Sequence, residues 1–351
     1  MYRILTGVVI TAFIGVLCTY AAPGFQDVLD TPAIKSPLAE KGLLNGIALA
    51  GKRLVSVGQR GNIIYSDDRG KSWTQSIVPV SSDLLSVYFP TAKKGWVVGH
   101  DGIVLHSADG GATWVKQFDG RAAAKVMRSY YAAHLPAGEE GERVKYEVDR
   151  FVKEGPDKPF LDVWFEDENT GFIVGAFNLI FNTANGGKSW KPWFDRTDNP
   201  GSLHLYAVKR IGQDLYIAGE QGLVMRLDRA TGKFRRLETP YQGTFFGLAG
   251  NNKSVVVFGM RGNTYRSTDR GTSWKKIETG VPVGLTGSTV TEDGRIILVS
   301  QAGNVLVSKD GGASFSMAKV DTPFFAAAVV ALDGKGIVLA GLGGVQVQTI
   351  K

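Results

Sequence analysis

Catalysis or metal binding needs reactive side chains at workable spacings, and this sequence offers few. Its four histidines, His100, His106, His134 and His204, include no pair at the H-E-x-x-H spacing of a helical metal site. Two facing carboxylates could hydrolyse a glycosidic bond. Asp101 and Glu220 are the one acidic pair that the chain's repeats bring to a shared rim, and they lie two repeats apart. Gly187-Lys188-Ser189 has the ending of a phosphate-binding loop, but Asn182 stands where that motif needs glycine. Glu166-Asp167-Glu168 reads as an exposed hairpin turn. No catalytic residue, metal ligand or cofactor site follows from these groups.

What the sequence does offer is repetition. Ser66-Asp67-Asp68-Arg69-Gly70-Lys71-Ser72-Trp73 reads S-x-D-x-G-x-S-W. It returns as Ser107 to Trp114, as Ser267 to Trp274 and, with phenylalanine at the end, as Ser308 to Phe315. Thr183 to Trp190 is a softened copy, and Arg226 to Phe234 a decayed one. Trp73 and Trp114 are 41 residues apart, as are Trp274 and Phe315. Between Trp114 and Trp190 the gap is 76, one period plus an insertion. Each period holds alternating strands such as Leu84 to Phe89 and a short apolar strand such as Gly95 to Gly99, separated by glycine-bearing turns. A period near 40 with four strands is propeller spacing.

The motif has the logic of a hairpin turn. A carboxylate can accept backbone N–H groups of its own turn, a glycine can take positive φ, and the aromatic residue anchors the next strand. The residues assigned to this structural role are Asp67, Trp73, Asp109, Trp114, Trp190, Asp269, Trp274 and Asp310.

Repeats fall at 43–80, 84–118, 160–195, 203–240, 244–280 and 284–320. A seventh begins at Phe324 and reaches the C-terminus before its fourth strand. The expected fold is therefore all-β, a seven-bladed propeller. The N-terminal strand Phe25 to Asp30 is expected to complete the last blade and remove the open edge. Six blades with a loose C-terminal hairpin is the alternative. Residues 119–159 interrupt the repeat between blades two and three. Ala122-Ala123-Ala124, Met127, Tyr131 and Leu135 have helical spacing, as do Val144, Val148, Phe151 and Val152.

The 351 residues carry a formal charge of +7, and 44% are hydrophobic. The basic residues form no dense run and no nucleic-acid motif appears, so nucleic acid is not an expected partner. Met1-Tyr2-Arg3 followed by the apolar run Ile4 to Leu17 reads as a secretory signal cleaved near Ala21 or Ala22. An uncleaved anchor is the alternative. The domains expected are thus a signal over 1–22 and a periplasmic propeller over 23–351. Cys18 is the only cysteine; Leu17 before it argues against lipidation, and a mature chain without it has no disulfide.

Two surfaces are candidates for binding. The turns between second and third strands open on one face, with Arg60, His100, Asp101, Phe177, Glu220, Arg261 and Gln301 as rim residues. The insertion joins that face, where Arg128, Tyr130 and Tyr131 are candidates to grip a partner. A flap that packs on its own propeller is the other reading of the same residues.

The motif resembles the Asp-box, or bacterial neuraminidase, repeat. Its order along the chain is similar to that of the photosystem II stability/assembly factor family of seven-bladed propellers, over roughly residues 24–351. Sialidases carry a Phe/Tyr-Arg-Ile-Pro signature, whose nearest text here is Tyr2-Arg3-Ile4-Leu5, inside the signal. The resemblance therefore implies no enzyme and no cofactor, but an exported scaffold that binds an integral membrane-protein complex. That complex would be photosystem-like or, as similar bacterial propellers suggest, a transporter of the resistance-nodulation-division superfamily. A carbohydrate-active propeller, hydrolase or lectin, with a glycan partner is the alternative.

Overall fold

The computed structural model describes residues 26–334 and 336–350. The expected signal over 1–22, Cys18 and Phe25 lie outside the described residues. Seven antiparallel sheets follow one another along the chain, six with four strands and the last with three. Their first strands are Leu44–Ala50, Leu84–Tyr88, Phe160–Phe165, Leu205–Ile211, Phe245–Asn251, Leu285–Val290 and Ala326–Ala331. Each lies beside the first strand of the next sheet, and that of sheet seven lies beside that of sheet one. The sheets fall within the seven expected repeats.

Neighbouring first strands belong to separate sheets, so side chains bridge their backbones. Asn45 Nδ2 donates to Leu84 O at 2.9 Å, and Thr286 Oγ1 to Ala326 O at 2.6 Å. Asp162 does most: its carboxylate accepts from Ser86 Oγ at 2.7 Å in sheet two and from Val208 N at 2.9 Å in sheet four. The pairing of first and second strands shifts register once in every sheet, next to the turn that leads into the third strand.

The repeated turn folds through one small network. Ser107 Oγ donates to Asp109 Oδ1 (2.8 Å) and accepts from Gly111 N (2.8 Å), while Thr113 gives its N–H and hydroxyl to the same carboxylate. Ser267/Asp269/Ser273 and Ser308/Asp310/Ser314 repeat it. In the first copy the acceptor is Asp68, not Asp67. Asp67 points away and pairs with Arg53 at 2.7 Å, because the register of Ser66 and Gly70 puts the turn's donors around the second acid. The softened copy makes the same turn with a neutral amide, Asn185.

Hydrogen bonds from Ser273 and Ser314 hold the Asp269 and Asp310 carboxyls down at about 2, and Ser72 holds Asp68 well below the usual carboxylate range. A depressed folded pKa gives stability that is present above the unfolded value near 3.8 and lost as pH falls toward 2. The melting temperature should therefore drop over that window. The Asp68→Asn, Asp269→Asn, Asp310→Asn triple variant should show a shallower drop, since Asn185 already serves as a neutral version. Equal slopes in the two proteins would count against this origin.

Sheet seven is the point where expectation and structure part. Its three strands are Ala326–Ala331, Gly336–Gly341 and Gly344–Thr349, and among the described residues no N-terminal strand joins them. The described part of 25–30 is instead a turn beside sheets one and two. Leu29, 1% exposed, packs in the core of sheets one and two, and Ser81 N donates to Val28 O at 2.9 Å. Asp30 is held by Arg121 at 2.9 Å and Lys116 at 3.1 Å. Burial of Leu29 and these ion pairs outweigh strand pairing at the open edge. A short turn, Ala39–Lys41, lies against Gly344–Thr349 instead.

The insertion forms two helices, α1 (Gly120–His134) and α2 (Glu139–Glu154). Asp119 caps α1 by accepting from Ala122 N at 2.9 Å. Gly155, at φ 100°, ends α2 by donating its N–H to Phe151 O. Ala123, Met127 and Tyr131 of α1, with Val144, Val148 and Phe151 of α2, join the core of sheets two to four. Among the described residues no helix is long and apolar enough to cross a membrane.

Candidate partner-binding face

One face is defined by backbone bonds that tie each turn between second and third strands to a connection joining its sheet to a neighbouring one. Examples are Gly61 N to Ser82 O, Asn178 N to Leu203 O, Met260 N to Thr244 O and Leu342 N to Phe325 O. Each turn follows one three-position pattern, whose third position in sheet seven is the first residue of the next strand. The third is Gly61, Gly102, Asn178, Gly222, Gly262, Gly303 or Gly344, all at positive φ. At Gly222 and Gly262 a Cβ would lie 1.7 Å from the carbonyl oxygens of Tyr241 and Val281, so the fold demands glycine there. Asn178 is the exception, and its buried side chain bonds Thr197 and Asn199 instead.

The second position carries no such demand and shows its side chain on the face. Arg60, Asp101, Phe177, Gln221 and Arg261 occupy it at φ 53, 58, 53, 50 and 55°. Arg60, Phe177 and Arg261 are exposed, and Asp101 is half-buried. His100, Glu220 and Gln301 stand at the first position. His100 and Gln301 are exposed, but Glu220 turns back and accepts from both His204 N and His204 Nδ1, at 2.8 and 2.7 Å. The glycosidase pair thus has one carboxylate already engaged by a histidine.

The helices share this face. The Arg150 guanidinium of α2 sits 5.1 Å from the Phe177 ring centre, and the His204 ring lies 4.5 Å from it. Tyr206 and Phe246 continue the aromatic run inward, 5.5 Å apart edge to face. Of the insertion residues expected to grip a partner, Arg128 is exposed and Tyr130 half-buried, stacked on His134 at 4.4 Å. Tyr131 is not available. It is 3% exposed, donates to Asp195 Oδ1 at 2.9 Å and accepts from Phe194 N at 3.1 Å. Helical geometry rotates neighbours by about 100°, so only one of the two tyrosines can face outward. Burial pushes the Tyr131 hydroxyl pKa far up. Tyr131→Phe should cost about 2 kcal/mol of stability, read by chemical denaturation, because Phe194 N and Asp195 lose a buried partner.

Sequence reasoning did not single out Arg150, His204, Tyr206 or Phe246. The shared signal is weak: Tyr206 and Phe246 are each the second residue of a first strand. It also missed a charged depression on the opposite face, where Arg270 pairs with Asp214 at 2.7 Å and Arg229 with Glu166 at 3.1 Å. Its members come from sheets three, four and five, so no local pattern unites them. Among the described residues no group of three or more histidine, cysteine or acidic side chains could hold a metal ion.

A ring of like sheets with one face of variable turn residues and a helical flap defines a propeller-like scaffold. The chain belongs to the family described as photosynthesis system II assembly factor YCF48, whose model matches residues 51–122 and 144–317. That is a family of assembly factors and not of enzymes. The residues between the two matched stretches, 123–143, are most of α1, the turn and the start of α2.

The chain is 27% identical over 155 residues to the photosystem II assembly lipoprotein Ycf48 of Synechococcus sp. (strain CC9902), covering 43% of this chain and 46% of that protein. It therefore spans about half the length of that curated relative. The solved structure of YCF48 bound to D1 peptide is similar with a TM-score of 0.63 at 14% identity, over 92% of this chain and 99% of that one. The WD40 β-propeller domain of Doa1 is similar with a TM-score of 0.61 at 10% identity, over 92% and 96%. These likenesses show the fold.

Proposed function

We propose that this chain is an exported, seven-bladed propeller that docks on an integral membrane-protein complex and assists its assembly or stability. The mature scaffold is residues 23–351, in the periplasm. Docking uses the face formed by the second turn positions and the helices, with Arg60, Asp101, Phe177 and Arg261 on the rim and Arg128 and Tyr130 on the flap. The partner is a photosystem-like complex or a transporter of the resistance-nodulation-division type; the capture experiment below names it.

The observation that carries this reading is the division of labour in the turns. The third position is fixed by the fold, while the second displays a different side chain in almost every sheet. Family membership supports the assembly role, as does a relative named as a photosystem II assembly lipoprotein.

The test is affinity capture of the tagged protein from gently solubilised membranes, read by mass spectrometry. Deleting the insertion would strip core residues such as Met127 and Phe151, so substitutions at exposed positions are the cleaner variants. Phe177→Asp with Arg261→Glu should fold normally and lose at least about tenfold of the captured complex, as central interface residues do. Undiminished capture by that variant would remove the rim from the interface. Recovery of no membrane protein by the intact chain would remove the function itself.

A further inference from the structure

The seven first strands enclose a central cavity of about 380 Å³. Its walls are mixed. Leu85, Leu161, Phe246 and Val330 are apolar, whereas Lys209 brings an ammonium group inside. Tyr206 and Phe246 stand near the mouth on the binding face. Lys209 comes three residues after Tyr206, about 10 Å further along an extended strand.

The side chain of Lys209 spans the cavity from sheet four to sheet six. There it donates to Ser288 Oγ at 3.3 Å, its one hydrogen bond among the described residues. Ser288 has already given its own hydrogen to Leu248 O. Asp162, the carboxylate that acts on Lys209 through space, makes no ion pair with it. Asp162 Oδ1 accepts from Ser86 Oγ and Val163 N, and Oδ2 from Val208 N. An ammonium has three N–H donors, so two remain for something other than the chain. A half-buried cation that makes no ion pair is costly to hold, and burial lowers the Lys209 pKa, with the Asp162 charge offsetting part of that shift. An anion with an apolar tail would answer both the charge and the walls.

We infer that the central cavity binds a small organic monocarboxylate, with its carboxylate on Lys209 Nζ and its tail toward Tyr206 and Phe246. This site is independent of docking on the outer face.

The test uses the purified full-length exported protein at constant ionic strength, with butyrate, acetate, butyramide and chloride as probes. Calorimetry measures affinity, and the ¹⁵N signal of the lysine ammonium reports contact. Butyrate should saturate a single site about tenfold more tightly than acetate, since two further methylenes leave water. Butyramide should not bind. Lys209→Met should weaken butyrate at least tenfold, while the surface variant Lys276→Met should not. Equal responses to chloride and butyrate, or unchanged affinity in Lys209→Met, would overturn the site. If Lys209→Met does not fold, the comparison of butyrate with butyramide and chloride on the unmodified protein decides.

Discussion

Asp162→Ala is expected to lower the unfolding free energy by about 3 kcal/mol. Asp162 accepts three hydrogen bonds, from Ser86 Oγ, Val163 N and Val208 N, and so joins sheets two, three and four. Alanine leaves those donors without an acceptor where water is scarce, at about 1–3 kcal/mol for each buried group left unsatisfied. Removing a half-buried carboxylate returns part of that loss, which keeps the net figure near the lower end of the sum. Asp162→Asn retains one acceptor oxygen and should cost about half as much.

The two proteins should also differ in their pH dependence. Burial raises the Asp162 pKa above 3.8. The folded protein then holds the proton more tightly than the unfolded chain. The stability this confers is present below 3.8 and lost as pH rises through the raised value. Asparagine has no such dependence, so the gap between wild type and Asp162→Asn should narrow from pH 4 to pH 7. Denaturant unfolding at several pH values measures both; a gap that widens with pH would contradict the role of burial.

Trp114→Ala should cost about 4 kcal/mol, within the range for a large buried aromatic residue. Trp114 is 4% exposed, meets Phe89 edge to face at 5.9 Å, and donates from Nε1 to Gly111 O at 3.0 Å. It closes the repeated turn and fills the core between sheets one and two at once. Trp73 and Trp274 are only half-buried, so the same change there should cost roughly half as much. Thermal unfolding of the three variants ranks them. An equal loss at all three sites would mean that the turn rather than burial sets the contribution.

The parts legible in the sequence are those where local chemistry and global fold agree. Gly222 and Gly262 mark turns because a Cβ there would strike a backbone oxygen, and Asp109 with Thr113 writes its turn in adjacent residues. Seven sheets and two helices follow from such signals. The parts that failed depend on competition between distant sites. Val28 and Leu29 can alternate like a strand, yet Leu29 is buried against sheets one and two, where Arg121 also draws Asp30. Asp67 and Asp68 are neighbours of equal chemistry, and only the placement of Ser66 and Gly70 decides between them. Lys209 looks like an ordinary outward residue of an alternating strand, because nothing local announces that its strand lines a cavity.

The central claim is that the face of variable turn residues and helices is the docking surface. Site-specific photo-crosslinking in intact cells tests it most directly. A photoreactive residue would replace Arg60, Phe177, Arg261 or Arg128 on that face, and Lys93, Lys188 or Arg270 on the opposite one. The account predicts cross-links to one membrane-protein complex from the first set and none from the second. Cross-links to a membrane protein from Lys93, Lys188 or Arg270 alone would contradict it and move the interface to the charged depression beside Asp214.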